Sequence, residues 1–277
     1  MSDELPLDAQ VRYAVDGGVA RITIDRPDIG NSLSGFMRDR MADLFLDASA
    51  DLAVRVVVLG AAGDRHFCTG ANLGGPQPEG PPRPAGAPDR AVGDTARMIR
   101  RGWQRLVAAI LDCEKPVMAA VNGTAAGGGA QLVLACDLVV MADTAKLIEV
   151  FVRRGIIPDA GGAYLLPRLV GLSKAKEIMF LGDDVPAHEC ERLGIANRVV
   201  PAAELGARVD EWAARLAAAP TRVLAATKWL LNRSPESSRQ TAFDEEAVMQ
   251  ESINGTEDAR EGMRAFMERR PPEFKGW

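Results

Sequence analysis

Apolar and polar positions alternate over residues 19–24, a pattern typical of a half-buried strand. After a turn, apolar side chains recur at helical spacing from Met37 to Phe45, and Ser34 is a candidate N-cap for that helix. Residues 54–60 are rich in valine and end at a glycine, which indicates a strand buried on both faces. Strand, helix and strand in this order predict a crossover unit of an α/β fold.

The middle of the chain continues this alternation. Residues 74–89 are dominated by glycine and proline and predict a long, mobile loop, which inside a compact domain is usually functional. Helical spacing of apolar positions then predicts one helix over residues 99–110. The strands expected after it are residues 116–121, 137–142 and 145–150.

From Ser173 onward the pattern becomes almost wholly helical. The segments with helical periodicity are residues 173–181, 187–193, 205–218 and 221–231. The change predicts two parts: residues 1–172 form an α/β core that holds the ligand site, and residues 173–277 form a helical region that covers the ligand or pairs subunits.

Three consecutive glycines, residues 127–129, lie between a buried-looking strand and an apolar helical run. Glycine lets the backbone approach a ligand closely, and the start of a helix presents unpaired N–H groups to an anion. No G-x-x-x-x-G-K-[ST] follows, and Leu132 stands where a dinucleotide fingerprint would have its third glycine. An oxyanion that forms on a substrate carbonyl is therefore the favoured ligand.

Composition narrows the class of protein. The chain has 277 residues, is 47% hydrophobic and 26% charged, and carries a net charge of −5 with mixed signs, which argues against nucleic acid as the main partner. The four cysteines are far apart and only two histidines accompany them, so neither a disulfide framework nor a metal site is expected. The acidic N-terminus has no secretory h-region behind it, and no apolar run is long enough for a bilayer. We therefore expect a cytoplasmic protein with no membrane partner.

Five motifs follow one another along the chain. They are Arg26-Pro27 with residues 31–34, residues 66–73, Asn122-Gly123 with residues 127–129, residues 155–162, and residues 265–270 with 274–276. Taken in order, they resemble the motifs of the enoyl-CoA hydratase/isomerase family, also called the crotonase family, and the resemblance covers about residues 10–277.

The resemblance implies a spiral core of repeated ββα units, and a helical C-terminal region that builds homotrimers or dimers of trimers. It implies an acyl-CoA thioester as substrate, with coenzyme A as part of that substrate and no separate cofactor. Two backbone N–H groups would hold the thioester enolate oxygen, and by motif these belong to Ala71 and Gly128. Fixed N–H dipoles of this kind contribute about 3–4 kcal/mol each to transition-state stabilisation. Substrate contacts are expected at Asn31, Cys68, Thr69, Gly70, Asn72, Gln131 and Phe151.

The acid and base groups decide which reaction follows. Hydratases of the family use two glutamates, and this chain has Gln131 and Phe151 at those positions, neither of which exchanges a proton at neutral pH. Glu149 lies two residues from the second position, on the same face as Phe151 if the strand is regular. Its plainer interpretation is a carboxylate at the strand edge that faces solvent or a subunit neighbour. Asp159 occupies a position where an aspartate meets the substrate in several branches of the family. Its plainer interpretation is a helix N-cap.

The favoured function is an enoyl-CoA isomerase, for double-bond or ring isomerisation, in which Asp159 removes and returns an allylic proton. The alternatives are an enoyl-CoA hydratase with a displaced carboxylate, and a catalytically silent acyl-CoA-binding protein. A serine peptidase on a related core is less favoured, because no serine occupies the triple-glycine turn. Lys228 and Lys275 are candidate contacts for the CoA phosphates, although surface lysines are common. Acyl chain identity and pathway do not follow from the sequence.

Overall fold

In this computed structural model, the described residues are 5–78, 80 and 82–277. Ten strands lie in this part of the chain: β1 Val11–Asp16, β2 Val19–Ile24, β3 Val56–Ala61, β4 His66–Cys68, β5 Val117–Val121, β6 Thr124–Ala126, β7 Leu138–Ala142, β8 Lys146–Ile148, β9 Asp184–Pro186 and β10 Arg198–Val200. The α-helices are α1 Leu7–Gln10, α2 Gly35–Ala50, α3 Asp94–Arg101, α4 Trp103–Leu111, α5 Gly128–Ala135, α6 Gly162–Val170, α7 Leu172–Leu181, α8 Ala187–Arg192, α9 Leu205–Ala217, α10 Thr221–Arg233, α11 Arg239–Asn254 and α12 Glu257–Glu268.

The larger sheet has six strands in the order β1-β2-β3-β5-β7-β10. Only the β1–β2 pair is antiparallel, and the remaining neighbours run parallel. In β2 every second residue is buried, as the alternation predicts, and in β3 the first four residues are all buried, as the valine run predicts. In β1, at one edge of the sheet, most residues are exposed or half-buried, whereas the central strands β3 and β5 are mostly buried.

The smaller sheet has the order β4-β6-β8-β9, with β4, β6 and β8 parallel and β9 antiparallel to β8. The chain alternates between the two sheets: β3, β5 and β7 lie in the larger sheet, and the strand that follows each of them lies in the smaller one. Each such strand pair is followed by helix before the next pair or the C-terminal part. The repeated ββα order that the family resemblance implies is therefore present.

Helix α2 begins as the sequence predicts, because the Ser34 hydroxyl accepts a hydrogen bond from the Met37 amide. The single helix predicted over residues 99–110 is wrong, since the chain forms α3 and α4 with a break at Gly102. Gly102 has φ −103° and ψ −101°, and a Cβ atom there would lie 2.6 Å from the guanidinium carbon of Arg38. The helix is broken where α2 packs against it.

The expectation of helices alone after Ser173 is corrected by two short strands. β9 pairs with β8 and β10 pairs with β7, so this stretch completes both sheets before the chain becomes wholly helical from Leu205. Strands of three residues are too short to show a two-residue period against neighbouring helices. The division at residues 172 and 173 stays a prediction.

Other expectations concern the chain ends and the long loop. Among the described residues, no helix combines the length and apolar character that crossing a bilayer requires. The N-terminal expectation rests largely on residues 1–4, which lie outside the described residues. In the loop predicted over 74–89, the described residues form neither helix nor strand, and Glu79 and Pro81 lie outside the description.

Candidate active site

The triple glycine forms the turn between β6 and α5. Gly127 has φ +54°, which glycine adopts without the steric cost of a Cβ atom, and its amide donates to the carbonyl of Ile148 at 3.0 Å. Gly128 opens α5, so its N–H belongs to the first helical turn and has no intrahelical acceptor. The turn thus presents one backbone donor at the positive end of a helix dipole.

Close packing explains why the next two residues are also glycines. A Cβ atom on Gly128 would lie 2.4 Å from the Trp103 ring of α4, and one on Gly129 would lie 2.0 Å from the carbonyl oxygen of Cys68. Trp103 is nearly buried, so it has little room to move away. Any side chain here would displace the backbone that carries the Gly128 amide.

The segment that carries Ala71 reaches the same place from far away in sequence. Leu33 and Ala71 form an isolated parallel β-bridge, in which Leu33 donates to the Gly70 carbonyl at 2.8 Å and Asn72 donates to the Leu33 carbonyl at 2.9 Å. In such a bridge the N–H of Ala71 itself points away from Leu33. A Cβ atom on Gly70 would lie 3.1 Å from the Gly128 nitrogen. The structure therefore brings the Ala71 and Gly128 segments together, and among the described residues neither amide has an acceptor.

Asn31 holds this segment in place. Its buried side chain accepts from the Arg26 amide and donates to the carbonyls of Ala62 and His66, at 2.7–2.9 Å. Both amide hydrogens are thereby used by the protein backbone. The geometry gives Asn31 a positioning role and does not support its predicted substrate contact.

Thr69 and Cys68, in the motif of residues 66–73, also have internal partners. The Thr69 hydroxyl donates to the Gly30 carbonyl at 3.0 Å, and the Cys68 sulfur accepts from the Gly70 amide at 3.4 Å. Burial raises the pKa of the Cys68 thiol to about 12, so this cysteine is a packed thiol at neutral pH. Phe151 is buried in a 3-10 turn, residues 150–154, and Asn72 is half-buried beside the Ala71 amide.

Gln131 and Glu149 form a buried pair. The Gln131 Nε2 donates to both carboxylate oxygens of Glu149, at 2.9 and 2.8 Å, and the two residues are 0% and 1% exposed. Burial raises the pKa of Glu149 to about 7, although the hydrogen bond from Gln131 acts in the opposite direction. The Gln131 Oε1 is buried and has no partner among the described residues.

The expectation of a solvent-facing Glu149 is therefore wrong. Strand β8 ends at Ile148, and Glu149 itself lies in the turn before the 3-10 segment, so it does not share a strand face with Phe151. The sequence contains one signal of this burial: Glu149 stands alone among apolar residues from Leu147 to Val152. A single acid in an apolar run is more consistent with a buried carboxylate than with a strand edge.

Asp159 is not a helix cap, which corrects the plainer interpretation. Helix α6 begins after Gly161, whose backbone is left-handed, and no side chain caps it. Asp159 is half-buried, and burial raises the pKa of its carboxyl. Among the described residues no cationic side chain pairs with it. A carboxylate with this environment is available for another task.

Helix α4 connects the Asp159 loop with the glycine turn. Trp103 packs on Gly128, and Val107, one helical turn later, would lie 3.3 Å from a Cβ atom on Gly161. Gln104, on the same helix, has its Nε2 3.5 Å from the Asp159 carbonyl oxygen. Asp159 and the Gly128 amide are thus held by neighbouring parts of one helix.

Lys228 does not reach solvent, so its candidate role at the CoA phosphates is wrong for this conformation. Its Nζ donates to Asp137 at 2.8 Å and to the Ile110 carbonyl at 2.9 Å, and the side chain is 8% exposed. Lys275 is exposed at the C-terminal tail, and its predicted contact stays a prediction.

Comparison with known proteins agrees with this architecture. Residues 14–277 match the family model described as enoyl-CoA hydratase/isomerase. The chain is 35% identical to a probable enoyl-CoA hydratase of Rhodobacter capsulatus, with 96% of this chain and 98% of that protein covered. It is 34% identical to the 1,2-epoxyphenylacetyl-CoA isomerase of Escherichia coli, with 95% and 97% covered.

Among solved structures, the enoyl-CoA hydratase from Bacillus anthracis superposes with a TM-score of 0.86 at 29% identity, covering 97% of this chain and 100% of that one. The two-sheet spiral of ββα units is thus a crotonase fold. The chain belongs to the enoyl-CoA hydratase/isomerase family, whose members process acyl-CoA thioesters.

Proposed function

We propose that the protein is an enoyl-CoA isomerase that moves a double bond into conjugation with a thioester. The Asp159 carboxylate takes a proton from C2 of a 3-enoyl-CoA, which gives a dienolate. The same proton, or one exchanged with solvent, then returns to C4. One C–H bond breaks, one forms, and the double bond moves from C3–C4 to C2–C3 with no other reactant.

The backbone amides of Ala71 and Gly128 would hold the thioester oxygen while it carries the negative charge. Their support is geometric: the two segments lie against each other, and neither N–H has an acceptor among the described residues. Donors that are already oriented need no rearrangement when the charge develops, which is why such pairs stabilise enolates.

The environment of Asp159 is the observation that carries the proposal. Its carboxylate caps no helix, pairs with no cation among the described residues, and has a pKa raised by burial. A raised pKa brings a carboxylate closer to the operating pH, which favours proton transfer in both directions. A single proton carrier suffices for double-bond migration, whereas addition of water requires a second group to activate the water.

Hydration is the second candidate, and the burial of Glu149 favours it. A carboxyl with a pKa of about 7 suits a general acid or base. Against this role, both Glu149 oxygens accept from Gln131, and Gln131 replaces the other expected glutamate with an amide. We therefore rank isomerisation first.

The test offers the purified protein a 3-enoyl-CoA and, separately, a 2-enoyl-CoA, and follows conjugation and hydration by absorbance. We expect conjugation of the 3-enoyl-CoA, with solvent deuterium incorporated at C4 when the reaction runs in D2O. Asp159→Asn should lower kcat by about 10²- to 10⁴-fold, the range typical of a lost general base.

The matched control is Asp210→Asn, an exposed aspartate of α9 that pairs with Arg21 and should leave kcat unchanged. Rapid hydration of the 2-enoyl-CoA that survives Asp159→Asn would contradict the isomerase and support the hydratase. Binding of both thioesters without turnover would instead support the catalytically silent protein.

The assembly and location are also proposals. We propose a cytoplasmic homotrimer or dimer of trimers, formed through the C-terminal helices. Large apolar side chains are exposed on these helices, among them Leu231, Phe243, Val248 and Phe266. Such a patch is more consistent with an interface than with a free surface. Light scattering of the purified protein, with monomer as the contradicting result, tests the assembly.

A further inference from the structure

The end of β8 and the residues that follow it pack directly on the glycine turn. The Ile148 carbonyl, at the end of β8, accepts from the Gly127 amide at 3.0 Å, and a Cβ atom on Gly127 would lie 3.2 Å from Cγ1 of Val150. Residues on both sides of Glu149 therefore touch the residue that precedes Gly128. The backbone at position 149 is held within one residue of the turn.

The Glu149 side chain adds a second attachment one helical turn later. It accepts both hydrogen bonds from Gln131 Nε2, and the Gln131 backbone amide donates to the Gly127 carbonyl at 3.2 Å. Gln131 is three residues after Gly128, on the first turn of α5. Together the two attachments fix the position and direction of the first helical turn, and hence of its free N–H groups.

The hydrogen bonds between Gln131 and Glu149 lie in a buried, tightly packed part of the protein. Both side chains are buried, and a Cβ atom on Gly162 of α6 would lie 2.5 Å from Gln131 Oε1. Among the described residues no lysine or arginine contacts Glu149, and Gln131 is its side-chain partner. A buried carboxylate without a cation lowers the free energy of unfolding, so stability does not explain why a carboxylate occupies this position.

We propose that Glu149 is a positioning residue for the Gly128 amide and acts through Gln131. The inference rests on the proposed role of that amide as an oxyanion donor, but not on the proton-transfer role of Asp159. Without Glu149, the Gln131 side chain loses its partner, and the first turn of α5 keeps only the Gly127–Ile148 hydrogen bond of its two hydrogen-bonded attachments to residues 148 and 149. The donor then points less accurately at the thioester oxygen.

The direct measurement is the carbonyl stretching frequency of a bound, unreactive thioester, butanoyl-CoA labelled with ¹³C at the carbonyl. Hydrogen bonds from the two amides shift this frequency to lower values. Glu149→Leu should lose a substantial part of the shift, whereas Glu149→Gln, which still offers Gln131 one acceptor oxygen, should keep most of it. This readout does not require turnover.

Kinetics provide the second measurement, on whichever enoyl-CoA the wild type converts. Glu149→Leu should lower kcat by about 10- to 100-fold with KM little changed, as expected when a catalytic group is misplaced rather than removed. Glu149→Gln should keep about half or more of kcat, because it retains one of the two hydrogen bonds. Circular dichroism measures the folded fraction of each variant, and kcat is calculated per folded enzyme molecule.

The matched control is Asp184→Asn. Asp184 pairs in register with Ile148 on the neighbouring strand but is exposed, so its loss should change neither kcat nor the carbonyl frequency. A wild-type frequency and kcat in Glu149→Leu would overturn the proposal. Equal inactivity of Glu149→Gln and Glu149→Leu would also overturn it, because Glu149 would then be the proton carrier. Survival of activity in Asp159→Asn contradicts only the isomerase mechanism.

Discussion

Asp137 and Glu149 are two carboxylates held largely out of solvent, and their surroundings differ. Asp137, between α5 and β7, accepts from the Val117 amide at 2.7 Å and from the Lys228 ammonium at 2.8 Å. Among the described residues, Glu149, after β8, accepts side-chain hydrogen bonds from the neutral amide of Gln131 alone. One is part of an ion pair that joins α10 to the core, and the other is a lone acid beside the glycine turn.

The difference shows what distinguishes a carboxylate that serves structure from one whose charge can change near neutral pH. Burial raises the pKa of both groups, but the Lys228 cation opposes this effect at Asp137. At Glu149 only a neutral hydrogen bond opposes it, and the pKa rises to about 7. A lone buried acid next to a candidate active site is therefore a better candidate for function than a paired one.

Removal of the ion pair's anion should have the largest effect on stability. Asp137→Asn leaves the Lys228 ammonium buried without a counter-charge, and we expect the free energy of unfolding to fall by about 3 to 5 kcal/mol. Urea denaturation at pH 7 measures it. Adding Lys228→Met should recover part of the loss, because it removes the orphaned cation. A fall of less than about 1 kcal/mol in Asp137→Asn would show that the pair is unimportant for folding.

Glu149→Gln should raise the free energy of unfolding, by less than Asp137→Asn lowers it, and the size of this gain should depend on pH. The unfolded carboxyl releases its proton near pH 4.5, whereas the folded one holds it to about pH 7, so the native state binds more protons in this window. Wild-type stability should therefore fall relative to that of the variant as pH rises from about 4.5 to about 7.

The variant's advantage should be absent below pH 4.5 and reach at most about 3.5 kcal/mol above pH 7, since each pKa unit corresponds to about 1.4 kcal/mol. Thermal unfolding from pH 4 to pH 8 measures the difference. A difference that does not depend on pH would contradict the assignment of a raised pKa to Glu149.

Removal of an exposed ion pair should have the smallest effect on the free energy of unfolding. Lys146 and Asp184 lie 2.6 Å apart at the surface, with side chains 41% and 40% exposed. Because solvent screens such a pair, Asp184→Asn should change the free energy of unfolding by less than about 1 kcal/mol. The same denaturation series measures it, and a loss as large as that of Asp137→Asn would contradict the contrast between buried and exposed pairs.

Much of the fold could be predicted because its signals are local. The alternation in β2, the valine run in β3 and the Ser34 cap each depend on a few adjacent residues, and each is confirmed. The break at Gly102 and the strands β9 and β10 could not be predicted. They depend on partners supplied by other parts of the chain, Arg38 for the first and the neighbouring strands β8 and β7 for the others.

In the candidate site, too, some features could be predicted from local sequence and others depend on distant contacts. Motif order along the sequence led to the family, and the glycines led to the turn at the start of α5. Whether Asp159 caps a helix could not be read from Asp159 itself. The answer depends on where α6 begins, and the left-handed Gly161 sets that boundary.

By itself, the sequence determined the family and the position of the glycine turn, because these follow from short motifs and their spacing. The ββα order of the core was implied by the family resemblance. Only the tertiary structure decided which acids are paired and which are not. Glu149 meets Gln131 across 18 residues, and Asp137 meets Lys228 across 91. Burial and charge pairing are properties of these distant contacts, and they set the pKa of a carboxyl where its sequence neighbours do not.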